Sequence, residues 1–146
     1  IAVNKWDLVP KDGGTMDQFT KYLRQYLGTL DHVPLVYVSA VTGQRVYDLL
    51  DTALEVAEKR RQRVQTSDLN DVVQAALKQK HPPSTSSGAF VKIKYATQVR
   101  TAPPVFVFFA NHPEGVRESY RRYLEGEIRE AFGYDGVPLT LVFKEK

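Results

Sequence analysis

The tetrapeptide Asn4-Lys5-Trp6-Asp7 brings a carboxamide, a long amine-tipped stem and a carboxylate within four residues. That set suits the reading of a heterocyclic base. A carboxylate accepts two parallel hydrogen bonds, and guanine offers two adjacent donors, its N1–H and exocyclic amino group, in an arrangement that adenine lacks. Asp7 is therefore the expected base selector. Asn4 can brace the loop and reach the base edge with its amide, and the aliphatic stem of Lys5 can lie over the ring face. Downstream, Ser39-Ala40 closes an apolar segment, and a backbone N–H there can donate to guanine O6. The same tetrapeptide could form a plain surface turn. Its placement argues otherwise: an apolar strand before it, one helix of separation, and Ser-Ala ending the next strand.

For Asp7 to meet Ala40, both must lie at the carboxyl edge of one sheet, where ligands bind in α/β folds. Ile1-Ala2-Val3 is apolar and β-prone and runs straight into Asn4. A buried strand beginning at residue 1 is expected, and a central strand needs neighbours on both sides. Pro10 to Gly14 reads as a loop, followed by Thr15 and Gln18 at capping-box spacing. Phe19, Leu23, Tyr26 and Leu30 recur at steps of four, three and four, giving the ensuing helix one apolar face, with Gly28 near its end. Pro34 to Val38 reads as a second buried strand. A second amphipathic helix follows, with Val46, Leu49, Leu50, Ala53, Leu54 and Ala57 on one face and Lys59, Arg60, Arg61 and Arg63 at its C-terminal end. Strand, helix, strand, helix is half of a parallel α/β sheet.

The pattern changes near residue 65. A third helix carries Leu69, Val72, Val73, Ala76 and Leu77 behind the polar start Thr66-Ser67-Asp68 and stops at the loop His81 to Gly88. Val91, Ile93, Tyr95 and Thr97 alternate with Lys92 and Lys94 as in a half-buried strand, and Val105 to Phe109 is nearly continuous apolar sequence. A long helix from about Val116 to Phe132 buries Val116, Tyr120, Tyr123, Leu124, Ile128 and Ala131, and Leu139, Leu141 and Phe143 alternate in a last strand. The fold class expected is α/β followed by α+β, with residues 1–64 forming a β-α-β-α unit and residues 65–146 an αββαβ unit.

Basic residues of the second unit are candidates for RNA contact: Lys92 and Lys94 on a strand, and Arg117, Arg121, Arg122 and Arg129 on the long helix. Each has a plainer reading. The lysines can be the solvated face of a half-buried strand, and Arg121 and Arg122 can pair with Glu118 and Glu125 at helical spacing. The cluster at Lys59 to Arg63 suits a helix end, an RNA strand or an interdomain contact. Gly133-Tyr134-Asp135-Gly136 has the G-x-x-G form of a nucleic-acid-gripping loop, but it lies between helix and last strand, and Asp135 would repel phosphate. Gly133 reads as a helix C-cap and Gly136 as a turn residue. Tyr95, Tyr120, Tyr123 and the Phe106 to Phe109 run fall at core periodicity and read as packing residues.

Asn4-Lys5-Trp6-Asp7-Leu8 and Ser39-Ala40-Val41-Thr42-Gly43 resemble the fourth and fifth guanine-nucleotide motifs of the Der (EngA) family of GTPases, bacterial ribosome-assembly factors with two G domains and a C-terminal KH-like domain. The segments Lys92 to Gln98, Pro104 to Asn111 and Glu118 to Glu125 are similar to the KH-like part of that family. The resemblance implies the end of a P-loop-type G domain followed by a KH-like domain, cytoplasmic residence, and ribosomal RNA of the large ribosomal subunit as partner. It implies Asn4, Lys5, Asp7, Ser39 and Ala40 as guanine-binding residues. A phosphate-cradling G-x-x-x-x-G-K-[ST] loop and a D-x-x-G element are both missing from the chain. The expectation is thus a fragment of a longer protein. GTP or GDP, with Mg2+, would be held only in the parent, where the other G-domain portions complete the site. Alone, the chain is expected to hold no cofactor or metal, to carry no catalytic residue and to hydrolyse nothing. Arg45 stands where the resemblance leads one to expect glycine. The alternative reading is a binding module for RNA or protein whose Asn-Lys-x-Asp holds no nucleotide.

Composition narrows the field further. Of 146 residues, 42% are hydrophobic and 25% charged, and there is no cysteine. A disulfide scaffold, a Cys-ligated zinc site, an iron–sulfur cluster and a thiol nucleophile are thereby excluded. No apolar run approaches the ~20 residues of a membrane span. A net charge of +3 permits a polyanionic partner without requiring one.

Overall fold

The computed structural model describes residues 1–10, 12–85 and 88–145. They form two compact units, Ile1–Ala57 and Glu58–Lys146. Among the described residues, no helix is long and apolar enough to cross a membrane.

In the first unit, strand β1 (Ala2–Val3) pairs in parallel with β2 (Val36–Tyr37), with Ala2 opposite Val36 and Val3 opposite Tyr37. Helix α1 (Thr15–Leu27) connects them, and α2 (Val46–Arg61) follows. The ladder continues past the strands, since Val38 N–H donates to Val3 O and Trp6 N–H to Val38 O. Ile1 is not buried as expected: it is 44% exposed, and its ammonium group donates to Pro34 O at 2.8 Å.

The expected capping box at Thr15 does not form. Gly14 is the N-cap, and Thr15 is already helical. Its hydroxyl donates instead to the Asp12 carboxylate at 2.6 Å, which also accepts Gly14 N–H at 3.1 Å. Asp12 thus braces the N-cap residue, and no side chain caps α1. Helix α1 ends at Gly28, whose φ of 51° is one that glycine adopts readily. Neither α1 nor α2 buries a residue. Phe19 and Tyr26 on α1, Leu30 in the 3-10 turn after it, and Leu50 and Leu54 on α2 are exposed, because two short strands offer too little surface to cover two apolar helix faces.

The second unit has the expected αββαβ order: α3 (Thr66–Gln79), β3 (Ile93–Thr101), β4 (Pro104–Ala110), α4 (Glu118–Phe132) and β5 (Thr140–Lys144). The sheet order is β3-β4-β5, antiparallel then parallel, and α4 supplies the crossover that a parallel pair requires. Tyr123 donates to Ala76 O at 3.0 Å and Tyr120 to Lys80 O, which sets α4 antiparallel beside α3. Leu69, Val73, Ala76, Tyr120, Leu124 and Ile128 of the helices and Phe106, Phe108 and Ala110 of β4 are all buried in the core. Tyr123 is only half-buried and Ala131 is exposed, at the margin of α4's apolar face.

The simple alternation expected across β3 fails. A register irregularity between Ile93 and Tyr95 turns the strand over, so the core receives Ile93, Ala96 and Gln98 rather than Tyr95 and Thr97. Gln98 is 2% exposed and fully used: its Oε1 accepts Val64 N–H at 2.7 Å and its Nε2 donates to Gln62 O at 3.1 Å. Asn70 of α3 seals the outer edge of β3, with both hydrogen bonds to Ala96 at 2.9 Å. Gly133 caps α4 at φ 67°.

Candidate functional site

The first unit turns sharply where β1 ends. Lys5 adopts φ 64°, ψ 31°, a left-handed conformation uncommon for a residue with a side chain. The chain then enters the 3-10 turn Trp6–Leu8. Two side chains hold this bend. Trp6 is 3% exposed and packs edge-on to Phe19 at 5.4 Å and obliquely on Tyr37 at 4.4 Å. Asn4 Oδ1 accepts Lys5 N–H at 2.8 Å and Ala40 N–H at 3.1 Å.

The second of those bonds joins Asn-Lys-x-Asp to Ser-Ala across 36 residues of chain. Ser39 is fully buried; its N–H donates to Gln44 O at 3.1 Å, and its Oγ accepts Thr42 N–H at 3.2 Å. These bonds fold 39–44 into a tight loop beside the Asn4 bend. Arg45 ends the loop with φ 55°. A glycine is favoured there for the steric reason that a Cβ costs energy in this region. The Arg45 guanidinium reaches Met16 Sδ at 3.9 Å. The Asp7 carboxylate has no hydrogen-bond partner among the described residues. All five residues expected to read a base, Asn4, Lys5, Asp7, Ser39 and Ala40, thus belong to two adjoining loops at one sheet edge. The N–H expected to donate to O6, that of Ala40, is engaged by Asn4 in this structure. The support beneath joins Trp6 of the tetrapeptide to Phe19, on the expected apolar stripe of α1, and to Tyr37 of the expected second strand, with Tyr37 hydrogen-bonded to Thr20 at 2.8 Å; residue types alone did not show that these three meet.

The basic residues of the second unit fare unequally. Lys92 and Lys94 are exposed, as is Arg117. Arg121 donates to Val116 O at 3.0 Å and lies 4.7 Å over the Phe143 ring. Arg122 pairs with Glu118 at 3.4 Å, as the helical spacing allows. Arg129, with 12% of its side chain exposed, is structural: it pairs with Glu125 at 2.7 Å and donates to the carbonyls of Tyr134 and Val137. It ties down the loop after α4, and its guanidinium is spent on that loop rather than offered to RNA. Lys59 pairs with Asp135 at 3.5 Å.

A model of the KH-domain-like C-terminal part of EngA bacterial GTPase enzymes matches residues 63–144. The chain is also similar to proteins named GTPase Der: 51% identical to that of Moorella thermoacetica over 99% of the chain and 33% of the relative. Those of Chloroherpeton thalassium and Chloroflexus aggregans are 46% and 42% identical over the whole chain, which covers 33% and 32% of them. The chain therefore spans about a third of the length of these curated relatives.

Proposed function

Since the chain belongs to the EngA (Der) family of bacterial GTPases, we propose that it supplies the guanine-recognition end of a GTP-binding domain, residues 1–64, and a KH-like docking domain, residues 65–146. The observation that carries this reading is the bond from Ala40 N–H to Asn4 Oδ1. It fastens the two base-reading loops together and leaves the Asp7 carboxylate open to the paired donors of guanine. Lys5, held in its left-handed bend, offers its stem to the ring face. Buried Ser39 fixes the loop that carries Ala40.

These residues bind and orient; they transfer nothing. GTP hydrolysis, with Mg2+ and the phosphates, belongs to the parent GTPase and to residues this chain lacks. In that parent the cytoplasmic role proposed is ribosome biogenesis. Nucleotide state sets how the KH-like domain docks on the large ribosomal subunit, where Lys92, Lys94, Arg117, Arg121 and Arg122 are the proposed contacts to ribosomal RNA.

The test is the affinity of the parent GTPase for GDP, IDP and ADP. GDP should bind most tightly, IDP more weakly because it lacks the exocyclic amino donor, and ADP at least about 100-fold more weakly than GDP. Equal affinity for GDP and ADP would overturn the assignment.

A further inference from the structure

We infer that the face of the β3-β4-β5 sheet away from α3 and α4 is a platform for single-stranded RNA, with bases against the Tyr95–Phe109 pair and phosphates on Arg100, Lys144 and Lys94. This rests on the RNA-contact reading above and moves the principal contact from α4 to the sheet.

The face is defined by register. Phe106 and Phe108 of β4 are fully buried beneath the helices, so their neighbours Val105, Val107 and Phe109 point the other way. Paired residues share a face. Tyr95 opposes Phe109, Thr97 opposes Val107 and Arg100 opposes Val105 on one side; Thr140, Val142 and Lys144 oppose the same three β4 residues, in reverse order, on the other. Both long helices lie on the Phe106–Phe108 side: α3 through Asn70, α4 through Arg121 over Phe143, which itself stacks on Phe108 at 4.8 Å.

The face away from the helices therefore has an aromatic and aliphatic centre, in which Val107 is buried at 6% exposure and Tyr95 and Phe109 are half-buried. Tyr95 and Phe109 stack at 4.5 Å, with ring planes 20° apart. Around it stand exposed Arg100 and Lys144, and exposed Lys94 sits in the irregularity that turns β3 over. The second irregularity, between Gln98 and Arg100, is what returns Arg100 to this face after Gln98 has entered the core.

Charge is segregated between the layers. None of the three strands contains an aspartate or glutamate, whereas α3 and α4 carry Asp68, Asp71, Glu118, Glu125, Glu127 and Glu130. The helices also carry Lys78, Arg121, Arg122 and Arg129, which leaves them near charge balance, so a polyanion is attracted more strongly to the sheet than to the helices. Arg122 and Arg121 are already engaged on α4, which weakens that helix as a phosphate-binding surface. Aromatic rings with flanking cations and no carboxylates are what a single strand with unstacked bases needs, and what a duplex with buried bases cannot use.

The test is fluorescence anisotropy of the 146-residue chain with a labelled oligouridylate of about 12 nucleotides, across a salt titration, beside a duplex RNA of equal length. The variants are Arg100→Gln/Lys144→Gln, Tyr95→Ser with Tyr95→Phe as its conservative partner, and Arg117→Gln/Arg122→Gln as the α4 control. Circular dichroism melting verifies that each folds. The chain should prefer the single strand. The sheet-face charge variant should lose about tenfold in affinity and lower the salt slope by about 1.4, the value for two phosphate contacts on a single strand. Tyr95→Ser should lose about tenfold while Tyr95→Phe retains binding, and the α4 variant, which removes two secondary contacts, should lose less than the sheet-face charge variant. Binding lost only in the α4 control, or equal for duplex and single strand, would overturn the sheet platform while sparing the RNA reading. No binding of the unaltered chain at low salt overturns both and leaves the face to a protein partner.

Discussion

The side-chain carbonyl of Asn4 accepts the backbone N–H of Ala40 at 3.1 Å, so one oxygen links the end of β1 to the end of β2. The same oxygen takes Lys5 N–H at 2.8 Å. One amide therefore sets the spacing of both proposed base-reading loops before any ligand arrives, a form of preorganisation.

Replacing Asn4 by alanine leaves both N–H groups without that acceptor. The first unit should lose about 1 kcal/mol of stability, the net worth of such bonds at a partly exposed site. Asn4→Asp, which keeps an acceptor oxygen, should lose less. Urea denaturation followed by tryptophan fluorescence reads the difference, and equal stability of Asn4→Ala and the unaltered chain would show that the link holds nothing in place.

The chain contains a single tryptophan, and Trp6 is buried in the first unit. Its emission reports that unit alone. Because α1 and α2 bury no residue while the second unit holds most of the core, the fluorescence transition in urea should come before the main loss of helical circular dichroism. Coincident transitions would mean that the two units unfold as one.

Gln98 satisfies Val64 N–H and Gln62 O inside the second unit. Leucine at this position fills the volume but leaves both groups buried and unpaired. Gln98→Leu should therefore lower stability by about 1–3 kcal/mol, nearly as much as Gln98→Ala. A thermal midpoint unchanged in Gln98→Leu would show that water replaces the amide.

Burial pushes the Tyr120 phenol up to about 12 from an ordinary 10.0, with the neighbouring Tyr123 adding to the shift. The folded chain holds this proton more tightly than the unfolded chain does. The resulting stability is complete below pH 10 and is lost as the pH rises from there toward about 12. Tyr134, raised chiefly by its burial, acts with the same sign. Thermal melts across this range should show a steep alkaline fall that Tyr120→Phe flattens in part. An identical pH profile in the variant would remove Tyr120 as its source.

Much of the order of elements was legible because periodicity survives in the sequence: Leu69, Val73 and Ala76, and Tyr120, Leu124 and Ile128, mark the buried stripes of α3 and α4. The β3 reading went astray for a physical reason. Period-two alternation presumes an unbroken pleat, and the irregularity after Ile93 moves Tyr95 to the face away from the helices and Gln98 into the core. A buried glutamine among apolar neighbours leaves no periodic signal, since its partners are backbone groups at Gln62 and Val64 in a distant segment. The base-reading residues were legible from type and spacing. What holds them, Trp6 against Phe19 and Tyr37, depends on how α1 crosses the sheet, which residue types alone do not specify. Arg129 shows the limit of reading charge: its partners are carbonyls of the loop it closes, so a cation on an amphipathic helix was a brace rather than a contact.

The central claim is that Asp7 selects guanine, and its most direct test is the nucleotide preference of the parent GTPase carrying Asp7→Asn. An asparagine amide donates to the C2 oxygen of xanthine where the carboxylate accepted from the guanine amino group. At the site that contains Asp7, read apart from the parent's other G domain, binding of labelled nucleotides should show GDP weakened by at least about 100-fold and XDP bound more tightly than GDP. An unchanged preference for GDP over XDP would contradict the account.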